Sequence, residues 1–324
     1  MCGRYVHQID PVIGEIASVY LWWYGASYTL GLLGAFFWIR RARASLDYDM
    51  RTVYALTIML SLGVLLGGRL VEVIFYEWSY YRDHLWHVPA VWLGGMSTHG
   101  ILLGATLSVW LFCRSFGKKF LPLADELAIA GAYIMGIGRL GNFIDGQIAG
   151  SITDVCWAVQ FPDLEGFRHP VVLYDGIKNL LLVPVLILIR SRRPPTGAVF
   201  GHFVLWYGFL RIFVDIFREY RTDLIGFPPG QEFNLLMTIL GLGLLVWRYR
   251  IKGVEKPSIT GEGQLATNEK SSWLQRVLLA VLVVIPLVMP SDWTQDVPER
   301  YGGRHEGMKH SVLYPRIPGP EQME

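Results

Sequence analysis

Charge is scarce in this chain. Asp, Glu, Lys and Arg make up 17% of its 324 residues, against roughly 25% in an ordinary soluble domain, which excludes a conventional water-facing fold. The net charge of +2 is too small for a nucleic-acid partner. Cysteine is nearly absent: Cys2, Cys113 and Cys156 include no CxxC and no metal-ligand spacing, so neither a disulfide framework nor a zinc site is expected. No metal and no cofactor is indicated. The opening residues, MCGRYVHQID, lack a basic start followed by a short apolar core and a small-residue exit, so the amino terminus is expected to be retained. Internal repeats are lacking as well.

Hydrocarbon is what the chain has in abundance. Hydrophobic residues reach 52% and mean hydropathy is +0.34. A crossing helix needs about 20 mostly apolar residues, and such segments lie near 19–39, 53–75, 90–113, 121–143, 170–189, 198–217 and 232–248. The expected fold is an all-α polytopic membrane protein with seven transmembrane helices. Basic residues cluster after alternate segments, at Arg40, Arg41, Arg43 and Arg51, then Arg114, Lys118 and Lys119, then Arg190, Arg192 and Arg193, then Arg248, Arg250 and Lys252. Positive loops stay cytoplasmic, which puts the amino terminus outside.

Residues 1–252 thus form a seven-helix membrane domain. A polar linker follows over 253–272, rich in Gly, Ser and Thr. The apolar run at 277–289 has only thirteen residues, but Trp273 and Trp293 bracket it at bilayer-like spacing. Those flanks favour an eighth, C-terminal membrane helix over 273–293. The polar tail, 294–324, is then outside, with Pro, Gly and mixed charges that suggest little fold of its own.

Helix direction and a rise of about 1.5 Å per residue give the depth of each intramembrane polar group. Tyr24, Arg69, His99, Arg139, Asn142, Tyr207 and Arg211 all fall toward the outer half. Arg139 and Asn142 share a helix face, as do Tyr207, Arg211, Asp215 and Arg218. Taken singly, each has an ordinary reading. Arg139 reads as a snorkelling arginine, Arg211 with Asp215 as a structural ion pair, His99 as an interhelical hydrogen-bonding residue, and the tyrosines as an aromatic belt. Together they point to a site, because ionisable groups in a membrane usually mark one. Guanidinium groups at headgroup level match phosphate. A lipid-modifying enzyme, a lipid transporter and a lipid-stabilised scaffold all satisfy that chemistry, although apolar inner halves disfavour transport between leaflets.

Six motifs then carry a family resemblance. GRLGNFIDGQIAG (138–150) resembles the GR-x-GNF-x-N-x-E signature of the bacterial prolipoprotein diacylglyceryl transferase family, and WWYG (22–25), GGR (67–69), GGMSTHGILLG (94–104), RHPVVLYDG (168–176) and the segment YGFLRIFVDIFRE starting at Tyr207 are similar to its other elements. The resemblance implies a seven-helix enzyme of the bacterial cytoplasmic (inner) membrane, with its active site facing the outer leaflet. It also implies transfer of the diacylglyceryl group of phosphatidylglycerol to the lipobox cysteine of a prolipoprotein signal peptide, with release of glycerol phosphate. Tyr24, His99, Arg139, Tyr207 and Arg211 are the implied catalytic residues. Arg139, Gly141, Asn142, Gln147, Arg69 and Asp215 are the implied substrate-binding ones. The chain departs from the family pattern at Ile101 (Gly), Asp145 (Asn), Gln147 (Glu) and Asp215 (Glu), and Asp175 stands where the family has Glu. A divergent paralogue with another donor or acceptor is the alternative those departures leave open.

Overall fold

A computed structural model describes residues 4–162, 164–218, 231–250, 271–290 and 293–317. The described helices are, in chain order, α1 (Trp23–Leu46), α2 (Met50–Val71), α3 (Trp78–Tyr81), α4 (Thr98–Ser115), α5 (Phe120–Asp145), α6 (Val171–Ser191), α7 (Ala198–Asp215), α8 (Gln231–Arg250), α9 (Trp273–Val284) and α10 (Val297–Tyr301). Among the described residues, four stretches are long and apolar enough to cross a bilayer: Met50–Tyr76, Phe120–Asp145, Val171–Ser191 and Ala198–Asp215. The protein is therefore a mostly helical, membrane-type chain. Helices α1, α4 and α8 have 18 residues or more but are not among those four apolar stretches.

The structure is not all-α. Strands β1 (Tyr5–Val6) and β4 (Val159–Gln160) pair in parallel, and β2 (Val12–Ile16) and β3 (Val19–Trp22) form an antiparallel hairpin. Ala17 and Ser18 turn the hairpin with positive φ, the conformation a two-residue hairpin loop demands. Tyr20 and Trp22 point inward from β3, and this period-2 burial explains why the stretch is apolar without being helical. A hydropathy window merges it with α1, so the first helix starts four residues later than its sequence suggests. Likewise α4 starts at Thr98 rather than near 90, because two 3₁₀ turns, Leu85–His87 and Val91–Leu93, precede it.

The chain divides into two compact units. One gathers the residues up to His7, Gly34–Met50, and the chain from Lys119 through α8. Its core packs Ile129 and Ala132 of α5 against Leu182 and Leu186 of α6 and Val199 of α7. Glycines set the helix spacing: a Cβ on Gly136 would lie 2.6 Å from Leu180 Cγ, and one on Gly176 would lie 3.1 Å from the Arg139 Cβ. Close approach of α5 and α6 is what brings the α5 arginine against α6.

The other unit comprises Gln8–Leu33, Arg51–Lys118 and the described C-terminal stretch from Ser271. Its core joins Tyr20 and Trp22 of the hairpin, Tyr80 and Tyr81 of α3, and Leu93 to Val297, Tyr301, Tyr314 and Ile317. The tail is thus folded up to Ile317, contrary to its composition. Its apolar residues are few, yet Val297, Tyr301, Tyr314 and Ile317 are all at most 3% exposed. The linker at 253–272 lies almost wholly outside the described residues. Helix α9 has twelve residues and continues as a 3₁₀ turn to Val288, shorter than a standard crossing helix.

Candidate functional site

In the first unit, a single carboxylate organises the cations. Asp175 sits on the second turn of α6, is 1% exposed, and accepts a hydrogen bond from Arg139 Nε of α5 at 2.7 Å. The same oxygen, Oδ2, accepts from Arg211 Nη1 of α7. Its other oxygen faces Lys178 Nζ at 2.9 Å, one turn along α6. Three cations from three helices therefore share one buried anion. A buried charge is tolerated only when paired and hydrogen-bonded, and each of these groups supplies that condition for the others.

A second carboxylate braces the arginine on α7. Asp215 lies four residues after Arg211 and 3.1 Å from its Nε. Asn234 of α8 in turn donates its Nδ2 hydrogen to Asp215 at 2.8 Å. The guanidinium of Arg211 is thereby fixed along Nε and Nη1, and among the described residues no acceptor is bonded to its Nη2. Arg139 Nη1 donates to Asn142 Oδ1 at 3.4 Å, one turn on. Lys178 also lies 4.1 Å from the centroid of the Tyr207 ring, a cation–π contact.

Arg139, Asp175, Arg211, Asp215 and Arg218 line a small cleft. Val171, Val172 and Val214 supply its apolar wall. Lys178 stands behind it against Asp175. Such a site is suited to an anion carrying apolar substituents.

Helix α5 ends at Gly146, which adopts a left-handed φ of 79°, the usual glycine role at a helix end. The Gln147 N–H donates back to the Asn142 carbonyl at 3.0 Å, tying the turn to the residue beside Arg139. Gly141 and Asp145 are buried within the last turns of α5.

Tyr24, Arg69 and His99 belong to the second unit. Tyr24 is buried, and its hydroxyl is 2.9 Å from that of Tyr28. His99 is exposed at the start of α4, with Nδ1 2.9 Å from the Tyr76 hydroxyl. Arg69 is enclosed. Its guanidinium donates to the carbonyls of Val88 (2.7 Å), His87 (2.6 Å), Ala90 (3.2 Å), Gly95 (3.1 Å) and Gly94. The donors of Arg69 thus hold the loop that leads to His99.

Sequence reasoning missed Asp175 and Lys178 as site residues. The two lie one helical turn apart on a mostly apolar helix, and an Asp with a Lys at that spacing in a membrane segment is itself the available signal. Cys156 is disulfide-bonded and Cys113 is free, whereas Cys2 lies outside the described residues. The absence of a disulfide framework expected from spacing does not extend to Cys156, which is bonded although no CxxC announces it. Among the described residues there is no cluster of His, Cys, Asp and Glu with the makings of a metal site.

Four described helical stretches long and apolar enough to cross a bilayer, together with arginines of α5 and α7 paired to a buried carboxylate of α6, define a helical membrane protein. A sequence model described as prolipoprotein diacylglyceryl transferase matches residues 11–247. Over 247 residues the chain is 40% identical to the phosphatidylglycerol–prolipoprotein diacylglyceryl transferase of Geobacter sulfurreducens, covering 74% of this chain and 95% of that one. It is 37% identical over 254 residues to the proteins of that name from Pseudoalteromonas atlantica and Nitrosospira multiformis, covering 75% of this chain and 90% and 88% of theirs. The chain belongs to the prolipoprotein diacylglyceryl transferase family.

Proposed function

We propose that the protein transfers the diacylglyceryl group of phosphatidylglycerol to the lipobox cysteine thiol of prolipoproteins. The carrying observation is the pair of arginines, Arg139 and Arg211, held on one buried carboxylate beside an apolar wall. In the reaction the cysteine sulfur bonds to the glycerol carbon that bears the phosphate, and the C–O bond to phosphate breaks. Glycerol phosphate leaves with the electron pair, and the thiol proton passes to a base. Guanidinium groups neutralise the charge that grows on the leaving phosphate. The cleft residues Asp175 and Asp215 act as positioning groups, because they fix the arginines before substrate arrives.

The thiolate is the nucleophile, and a free thiol has a pKa near 8.5, so deprotonation needs help. His99 is the candidate base: with Nδ1–H donated to Tyr76, its Nε2 is left to take the proton. Tyr24, Tyr207, Asn142, Gly141 and Gln147 are proposed to shape the headgroup and ester site. Arg69 serves the same reaction by holding the His99 loop.

The proposal places seven membrane crossings with the amino terminus outside and the arginine pair toward the outer leaflet of the bacterial inner membrane. Alternating basic loops support that orientation. The bonded state of Cys156 supports it independently, since disulfides persist in oxidising compartments and Cys156 lies between α5 and α6, next to the ends that carry Arg139 and Asp175.

The test is reconstitution in phosphatidylglycerol vesicles with a peptide carrying a lipobox cysteine. The diacylglyceryl thioether and glycerol phosphate should form together, and the serine version of the peptide should give neither. Failure of both products with folded protein across several phospholipids would replace this reading with that of a divergent paralogue.

A further inference from the structure

The described stretch from Ser271 onward lies outside the family match, which ends at residue 247, yet it is built into the second unit. Near its start, Gln275 Nε2 donates to the carbonyl of Arg51, at the beginning of α2, at 3.4 Å. Further along, the carbonyl of Val283 accepts from Thr29 of α1 at 2.7 Å. A Cβ on Gly25 would sit 1.9 Å from the Pro286 oxygen, so this contact needs glycine. Beyond the far end of α2, Thr294 N donates to Glu77 Oε1 at 2.9 Å. The segment therefore accompanies α2 from its first turn to past its last.

At that far end the extension grips the loop before His99. Gln295 N donates to the Leu93 carbonyl at 3.1 Å, and Trp92 Nε1 donates to the Leu313 carbonyl at 2.9 Å. The Thr294 hydroxyl is hydrogen-bonded to that of Tyr81. The face of the Tyr81 ring carries the Arg69 guanidinium, 5.1 Å from the ring centroid. Gly95 lies between them: a Cβ there would come within 2.3 Å of Arg69 Nη1 and 2.6 Å of Thr294 Oγ1. Arg69 thus holds the loop from one side, while Thr294, Gln295 and Leu313 hold it from the other.

We propose that the C-terminal extension forms an eighth membrane crossing whose outer end is a clasp for the His99 loop. Thr294 is its positioning residue, acting through Tyr81 and Arg69. This rests on the reading of His99 as the base. A base must stand within hydrogen-bond reach of the proton it takes, and a loop of backbone carbonyls around one guanidinium keeps that geometry only while the guanidinium is fixed.

The test uses the full chain in phosphatidylglycerol nanodiscs, with transfer rates and hydrogen exchange of the 90–100 segment measured together. Thr294→Val should speed exchange there at least ~10-fold while leaving exchange in α5–α7 unchanged. It should slow kcat by roughly 10- to 100-fold with KM for phosphatidylglycerol unaltered, the scale of a small misplacement of a reacting group. Thr294→Ser should restore both. In a His99→Ala background the Thr294→Val change should cost nothing further, as expected for residues acting through one another. Trp92→Phe, which removes the indole N–H donated to Leu313 together with part of the ring, gives an independent version if Thr294→Val does not fold. Unchanged exchange in both variants, or a rate loss that multiplies with that of His99→Ala, would overturn the clasp. If the unmodified chain transfers nothing, the transferase reading fails by itself, and the exchange result still decides the clasp.

Discussion

Asp175 Oδ2 lies 2.7 Å from Arg139 Nε, and through that same oxygen it also holds Arg211. Without the carboxylate, Arg139, Arg211 and Lys178 would lose the anion they share. Removing one partner from a buried charge network costs several kcal/mol more than an exposed pair would.

Asp175→Asn keeps the shape and loses the charge. Transfer should fall by about 100-fold in kcat/KM, equal to ~2.7 kcal/mol of transition-state stabilisation. Asp175→Glu, the residue the family pattern carries, should recover most of it. Glycerol phosphate release in vesicles measures both, and equal rates for Asn and Asp would remove the carboxylate from the mechanism.

Helix spacing makes a separate demand. Gly176→Val places branched carbons where a Cβ already stands 3.1 Å from the Arg139 Cβ, so it should part α5 from α6 and lower both activity and the unfolding temperature. Gly138→Ala, with nothing within 4 Å of its added Cβ, should leave the unfolding temperature within a few degrees of the parent. Thermal unfolding in detergent compares the two.

How much of this was legible in the sequence follows from the kind of signal each feature leaves. Helices α2 and α4 to α8 show as apolar runs, and the Arg211–Asp215 pair shows as an i, i+4 spacing. The hairpin at 12–22 is invisible to a hydropathy window, because a short half-buried strand and a helix start are equally apolar. The meeting of Arg139 with Arg211 on Asp175 depends on which faces of three helices turn together, and no spacing within one helix reports that. The tail misleads for a different reason: Tyr301, Tyr314 and Ile317 are too sparse to register as a core, but they fill one supplied by α3 and the hairpin.

The proposed eighth crossing would put the tail outside. Val312 is 98% exposed. A cysteine placed there, with Cys113 replaced by Ala, should react with an impermeant maleimide in intact spheroplasts. Reaction only after lysis would put the tail in the cytoplasm.

Acid should loosen the His99 loop. Burial, with His84 and Arg69 nearby, pushes the His87 imidazole below its ordinary value, so the folded protein favours the neutral ring. The stability this provides is present above about pH 6.5, the unfolded value, and is lost as pH falls through the lower folded value. Unfolding temperature should therefore decline in mildly acidic buffer, and His87→Gln should flatten that decline. An identical slope in the variant would assign the acid sensitivity elsewhere.

The central claim is that two arginines, pre-set on one aspartate, clamp the phosphate of the lipid donor through their forked donors. Lysine keeps the charge and loses the fork. The direct measurement is the single-turnover rate of thioether formation in phosphatidylglycerol vesicles for the parent, Arg139→Lys and Arg211→Lys. Each lysine variant should be slower by at least ~10-fold, about 1.4 kcal/mol. Parental rates in both would contradict the clamp and leave only a diffuse positive field.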